Sequence, residues 1–421
     1  MLRHSLGILL AALLLTGCQL LDLQQQIDSA HRERVLIPGH WLGSEAALVA
    51  LLDQQGQLQG YRDVQPDGLF YFSAAKAQYQ LLAFVDRNRN LQLDPDEPYH
   101  WLRQANNAAF QVQPTAAQRR TLGQLNLLQP QAMPSSPAPS LNLSLENLSQ
   151  ALPRLQHNYL QVVDFDDPRF SAERISQGAW QPLDFLSEVG YGLYLLQPWD
   201  AHKEPVFLVH GINSAPPIWQ ELIASIDPQR FQVVLFHYPG GMPLNNSAYI
   251  LSEAIRDMQR RYAIPRFHIF AHSMGGLVAR RTIQLLEAGG GAQQQCLFVT
   301  LATPWGGHPS AASGVANSPV VAPVWRDLAP GSPYLQALFA TPLPAHIRQW
   351  QLVSYAGNTR LLAQPNDGVV PLSSELLTAA QDEADQLFML ADNHTGILAS
   401  TRSKELIARA LGSLPSQGCP P

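Results

Sequence analysis

The hydrophobic rhythm of the chain changes several times. Residues 6–15 form a nearly unbroken apolar run. Between residues 35 and 128, short apolar stretches at 35–37, 47–52, 69–72 and 79–85 are separated by turn material such as Gln54, Gln55 and Gly56. Such spacing predicts a small antiparallel β-sandwich. Residues 143–160 read as a helix. From residue 191 the runs 206–209, 231–236, 267–270, 297–301, 352–355 and 387–390 hold few polar residues. They alternate with helical stretches at 218–226, 249–262, 276–287 and 397–411. Apolar strands that alternate with helices imply a mostly parallel sheet covered on both faces.

These changes divide the 421 residues into seven parts. Residues 1–17 read as a targeting segment and 18–34 as a Gln-rich tether. Residues 35–128 form a β-rich accessory domain, followed by a linker over 129–140, where Pro134, Pro137 and Pro139 withhold donors from helix and sheet alike. A helical connecting region spans 141–190, the α/β domain 191–411, and a short tail 412–421. No internal repeat is apparent. Charged residues make up only 14% of the chain, well under the usual figure of about 25%. With 46% hydrophobic residues, that composition argues against a disordered chain. Lys and Arg number 27 against 33 Asp and Glu, a net charge of -6 without a basic run. Nucleic acid as a partner is thereby excluded, since phosphate binding needs a basic surplus.

The first apolar run is shorter than the roughly 20 residues that span a bilayer, and Arg3 and His4 precede it. It ends in Leu15, Thr16, Gly17 and Cys18, which resembles the lipobox of bacterial lipoproteins. The resemblance implies cleavage before Cys18, diacylation of its thiol and an acylated new N-terminus. Gln19 stands where Asp favours inner-membrane retention, so the same resemblance to Gram-negative lipoproteins implies an outer-membrane anchor, facing the periplasm or the surface. Two or three acyl chains anchor stably where one does not. Beyond this run no segment is long and apolar enough to cross a membrane, so the body is expected to be a soluble globule. The periplasm permits disulfides, yet the two remaining cysteines, Cys296 and Cys419, do not by themselves establish one.

Four local features carry chemistry. The run 267–270 leads into Ala271, His272, Ser273, Met274, Gly275 and Gly276, then a helical stretch. A serine lifted on a sharp strand-to-helix turn tolerates only small residues two positions before and after it, which marks Ser273 as a candidate nucleophile. The run 206–209 ends in His210 and Gly211, where a bent backbone points an amide at a developing oxyanion. The donors would be the N–H groups of Ile212 and Met274. Asp367, between Asn366 and Gly368 after a strand, is the candidate to orient an imidazole, with Asp327 and Asp392 as alternatives. His394, on the loop after the last strand, is the candidate general base. His272 lies too near Ser273 in sequence to face it and is expected to line the site.

Together, His210 and Gly211, residues 271–276, residues 366–371 and His394 make residues 191–411 resemble the α/β-hydrolase superfamily. The lipase-like branch, with its triacylglycerol lipases and inositol-deacylase-like hydrolases, is the most similar part of it. Residues 303–307 and 327–332 match that branch too, and the apolar, proline-punctuated residues 311–325 suit a lid. The resemblance implies an α/β-hydrolase fold and a serine ester hydrolase acting on lipid or lipid-like acyl esters through an acyl-enzyme, with no cofactor required. An acyltransferase with the same triad is the rival enzyme. A binding lipoprotein with an inert hydrolase unit is the rival of another class.

One motif lies outside that unit. Asp86, Asn88, Asn90, Gln92, Asp94 and Glu97 stand at positions 1, 3, 5, 7, 9 and 12 of a calcium loop. Leu91 replaces the glycine that makes its sharp turn, so a structural calcium site and a polar hairpin loop both stay open.

Overall fold

The computed structural model describes residues 34–102 (without 42, 65, 67, 76–78 and 88–91), 130–131 and 157–419 (without 263, 319–320, 358, 360–361, 363 and 416–417). The targeting segment, Cys18, the tether up to residue 33 and nearly all of the proline linker lie outside the described residues. The chain divides into two compact units, one of residues 25–157 and one whose described part starts at Asn158.

Among the described residues the first unit holds seven strands: β1 (Arg34–Trp41), β2 (Ala47–Asp53), β3 (Leu58–Val64), β4 (Gly68–Ala75), β5 (Tyr79–Phe84), β6 (Tyr99–Leu102) and β7 (Pro130–Gln131). β1 and β4 form an antiparallel ribbon, and the others an antiparallel sheet in the order β3-β2-β5-β6-β7. Ribbon and sheet share one core, in which Trp41 and Phe72 pack against Val49, Leu51, Leu81 and Ala83. Alternate side chains of β2 and β5 reach that core, as the period of a strand requires. β3, β6 and β7 are additions to the strands expected here, β7 within the expected linker. The buried side chains of β3 are Leu58, Tyr61 and Val64: a bulge opposite Leu51 and Leu52 puts Leu58 and Tyr61 on one face although they are three apart, while Val64, opposite Ala47, lies on the other. That spacing hides the strand.

The described residues of the second unit are built on eight strands: β8 (His157–Val162), β9 (Tyr191–Leu195), β10 (Glu204–Val209), β11 (Phe231–His237), β12 (Phe267–His272), β13 (Gln295–Leu301), β14 (Arg348–Ser354) and β15 (Gln386–Leu390). Their order is β8-β9-β11-β10-β12-β13-β14-β15. β10 to β15 run parallel, and β9 is antiparallel to β11. The helix expected over 143–160 therefore does not extend through its last residues. Residues 157–162 are strand, because pairing at the sheet edge overrides a helical pattern.

The connecting helices are α1 (Ala172–Trp180), α2 (Pro182–Glu188), α3 (Gln220–Ile223), α4 (Leu244–Tyr262), α5 (Met274–Ala288), α6 (Pro309–Asn317), α7 (Pro323–Leu328), α8 (Pro333–Leu338), α9 (Leu372–Glu375), α10 (Thr378–Glu383) and α11 (Thr401–Gly412). On one face of the sheet Val206, Leu208, Leu235, Phe270 and Val299 pack against Leu406, Ile407, Ala410 and Leu411 of α11 and against Trp219. The intervening residues Phe207, Val209, Ile269 and Phe298 are equally buried, so both faces are covered and the strands read as unbroken apolar runs. Among the described residues no helix is long and apolar enough to cross a membrane.

The tail is fastened to this unit. Cys296 and Cys419 are bridged, with Cα atoms 4.8 Å apart and a sequence separation of 123. Arg266 donates to the carbonyls of Pro415 and Gly418 while also pairing with Glu204.

Candidate active site

β10 is flanked by β11 on one side and by β12 on the other. The chain therefore leaves β10 toward one side and later returns on the opposite one, and a crevice opens at the carboxyl ends of β10 and β12. That switch point is where open α/β sheets bind ligands. Ser273 directly follows β12, and Gly211 and Ile212 lie just past the end of β10.

Ser273 has φ 55° and ψ -133°, a conformation that costs on the order of 1–3 kcal/mol in a residue with a side chain. Two main-chain bonds hold it there: its N–H donates to Leu301 O at 2.8 Å, and its carbonyl accepts from Gly276 N at 2.9 Å. Close approach explains the small neighbours. A Cβ on Gly275 would stand 2.3 Å from Val209 O and 2.5 Å from His210 O, and one on Gly211 2.8 Å from Ser273 Cβ. The turn thus presses α5 against the end of β10 and lays the Gly211–Ile212 peptide beside the serine. Met274 opens α5, so its N–H is among the four that have no acceptor within the helix.

His394 sits on the loop after β15. Its Nε2 is 2.9 Å from Ser273 Oγ, and its Nδ1 is 2.5 Å from Asp367 Oδ2. Its main-chain N–H also donates to Asp367 O at 2.9 Å. Asp367, fully buried, accepts on Oδ1 from the amides of Val369 and Val370, and on Oδ2 from Ser354 Oγ at 2.9 Å as well. Burial pushes the Asp367 carboxyl up, but the His394 imidazole and the Val370 and Val369 amides more than offset that and hold it below the usual carboxylate range. An ionised carboxylate only accepts, so Nδ1 carries the proton, and Nε2 is left to accept from the serine hydroxyl.

His272 does more than line the crevice. Its Nε2 lies 2.8 Å from His394 O, and the two rings are 4.8 Å apart. Burial, with His394 alongside, drives its titration down to about 3. The ring is therefore neutral and donates from Nε2 to that carbonyl, fastening the His394 loop to β12. His210 is likewise kept neutral by burial, at about 4, and faces Gly211 O through Nδ1 at 2.9 Å. Tyr238 stacks on its ring and donates to its carbonyl at 2.7 Å.

The alternatives to Asp367 lie elsewhere. Asp327 accepts from the Leu244 amide, Asp392 takes the Ala356 amide on its main-chain oxygen, and neither bonds the His394 ring. The expected lid region contains α6 and α7, with Trp325 edge-on to Trp180.

Residues 204–330 match the family model described as the alpha/beta hydrolase fold, and they contain β10, β11, β12 and β13 in the order given above. The second unit has the α/β-hydrolase fold. Within that fold the serine, carboxylate and imidazole follow its fifth, seventh and eighth strands, counted along the unit. Among solved structures, lipase BlEst2 of Bacillus licheniformis in its mature form is 14% identical, with a TM-score of 0.43 over 52% of this chain and 97% of that one. Lipase B of Aspergillus fumigatus is 13% identical, with a TM-score of 0.40 over 54% and 57%. The esterase RhEst1 of a Rhodococcus species is 15% identical, with a TM-score of 0.34 over 51% and 93%. No curated protein matches the sequence.

Two residues near the triad of side chains were not anticipated from the sequence. Ser354, the last residue of β14, donates to Asp367. Glu375, at the end of α9, is fully buried behind it, and its Oε2 accepts the Ser354 amide at 3.1 Å. The one signal for Glu375 was an acid standing alone among the apolar and small residues of 369–377.

In the first unit, Asn88 and Asn90 of the calcium-loop motif lie outside the described residues. The Glu97 carboxylate accepts from the amides of Arg87 at 2.7 Å and Asp94 at 3.2 Å, as the acid of a closed hairpin loop does. Among the described residues no group of three or more His, Cys, Asp or Glu side chains is arranged to hold a metal ion.

Proposed function

We propose that the α/β-hydrolase unit is a serine hydrolase of carboxylic esters. The supporting observation is the unbroken hydrogen-bonded series Asp367, His394, Ser273 at the switch point of the sheet. Ser273 Oγ attacks the ester carbonyl while His394 Nε2 takes its proton, and Asp367 stabilises the imidazolium that forms. The oxyanion is held by the Ile212 and Met274 amides, a contribution of a few kcal/mol per donor. Collapse expels the alcohol with the proton from His394. Water, deprotonated by the same imidazole, then releases the acid and restores the serine. Every proton in this cycle moves between Oγ, Nε2 and the two leaving or entering oxygens.

The substrates proposed are lipid or lipid-like acyl esters, and the membrane attachment is through a lipidated Cys18, at the outer membrane of a Gram-negative-type envelope. The lipobox-like residues 15–18, the low charge and the helical insertion at 309–338 support this part. Wild-type protein is expected to react with a fluorophosphonate at Ser273 and to hydrolyse nitrophenyl esters. Both properties are expected to vanish in Ser273→Ala. A wild type that neither labels nor hydrolyses overturns the proposal, and transfer to an added alcohol outrunning hydrolysis replaces it with acyl transfer. Palmitate-labelled cells test the anchor: label retained in Cys18→Ser refutes it.

A further inference from the structure

Behind Asp367 lies a second carboxyl group. Glu375 is wholly shielded from solvent, and no donor reaches its Oε1. Its Oε2 accepts the Ser354 amide, and the hydroxyl of the same serine donates to Asp367. Its main-chain carbonyl is held by Gln351 Nε2 at 2.7 Å. Asp367 is its charged neighbour, and Ser354 bridges the two carboxyl groups through its amide and its hydroxyl. Among the described residues no Lys or Arg forms an ion pair with it, so the groups it faces are Asp367 from the acid loop and the uncharged Ser354 and Gln351 from β14.

Two carboxyl groups sharing a dry site cannot both ionise. Asp367 has an imidazole, two amides and a hydroxyl to stabilise its charge, whereas Glu375 has one amide, so the proton settles on Glu375. Burial and the Asp367 charge push its titration up to about 10. We infer that Glu375 is a positioning residue that works as a neutral acid, donating its proton to the Asp367 carboxylate and limiting how strongly that carboxylate holds the His394 imidazolium. This deepens the hydrolase proposal and rests on it. An ionised Glu375 would add a second negative charge behind the imidazole, trapping the proton that the leaving group needs. An apolar side chain would take away one donor from Asp367 and act in the same direction. A glutamine would serve as well as the acid, because its oxygen accepts from Ser354 and its amide donates to Asp367.

The experiment compares the full-length wild type with Glu375→Gln and Glu375→Leu. The readouts are kcat/KM against pH on a nitrophenyl ester and the low-field proton NMR signal of the His394–Asp367 hydrogen bond. Glu375→Gln is expected to keep the wild-type acid limb and a rate within about two-fold. Glu375→Leu is expected to move the acid limb to higher pH, with a loss of about ten-fold or more, the lower end of what one hydrogen bond to a charged group contributes. The two variants behaving alike overturns the inference. Should Glu375→Leu not fold, the glutamine variant decides alone. Fluorophosphonate labelling of the wild type is expected to slow as pH is raised toward 10, and that of Glu375→Gln to persist. A shared decline overturns the inference. A wild type that never labels instead defeats the hydrolase proposal, while the NMR signal still reports whether Glu375 donates to Asp367.

Discussion

The protonation of Glu375 has a thermodynamic consequence that needs no substrate. In the unfolded chain its carboxyl titrates near the ordinary 4.5, and in the folded protein near about 10. Between those values the folded state holds a proton that the unfolded state has lost, so stability falls as pH rises, by about 1.4 kcal/mol per unit for this one group. At pH 7, some 2.5 units above the unfolded value, keeping the acid neutral in the fold costs on the order of 3 kcal/mol. Glutamine has nothing to ionise. The stability of Glu375→Gln relative to wild type is therefore expected to grow with pH, by roughly 3 kcal/mol from pH 6 to pH 8. Urea unfolding followed by tryptophan fluorescence measures it, because six of the eight tryptophans lie beyond residue 157. A stability difference that stays flat across that interval means that Glu375 is ionised in the fold, and the reasoning fails.

Asp367→Asn preserves shape but lets the amide favour the wrong imidazole tautomer, so a fall in kcat on the order of 10³–10⁴ is expected in ester hydrolysis. Gly275→Ala sets a methyl against the backbone oxygens of Val209 and His210. Both the melting temperature and the fluorophosphonate labelling rate should drop, and a variant with wild-type values contradicts the close approach. Cys419→Ser opens a bridge that closes 123 residues; the chain-entropy model puts the loss at about 4–5 kcal/mol, read as a lower urea midpoint. At Glu204, burial raises the carboxyl, but His268, Arg230 and Arg266 outweigh that and bring it to about 2. Its stabilising contribution is complete above about 4.5 and lost as pH falls toward 2, so Glu204→Gln should flatten the acid side of a stability–pH curve.

The parallel strands were legible because a strand buried on both faces leaves little room for polar residues, and β10 to β14 carry that signature. The candidate nucleophile was legible because close approach at Gly275 leaves a mark in the sequence. β8 was not, since a strand at the sheet edge is fixed by its partner β9 and not by its own pattern, and residues 143–160 mimic a helix. Nor was β3, whose bulge breaks the period of two. Glu375 and Ser354 escaped notice for a different reason. A buried acid and a strand-terminal serine acquire meaning only once β14 and α9 bring them to Asp367, and neither belongs to a motif. The neutral state of His272 likewise depends on burial that no local pattern announces.

Residues 309–338 contribute three helices between β13 and β14, and none of the hydrogen bonds described above for Ser273, His394 and the Asp367 carboxylate comes from them. Just before that insertion, the chain is stitched to the acid loop and α9: His308 Nε2 donates to Val369 O, Ser374 Oγ to Gly307 O, and Gly306 N to Ser374 O. The insertion thus springs from a fixed collar: a change at residues 306–308 is transmitted to the Asp367 loop through these three bonds, although none of them involves Ser273, His394 or the Asp367 carboxylate.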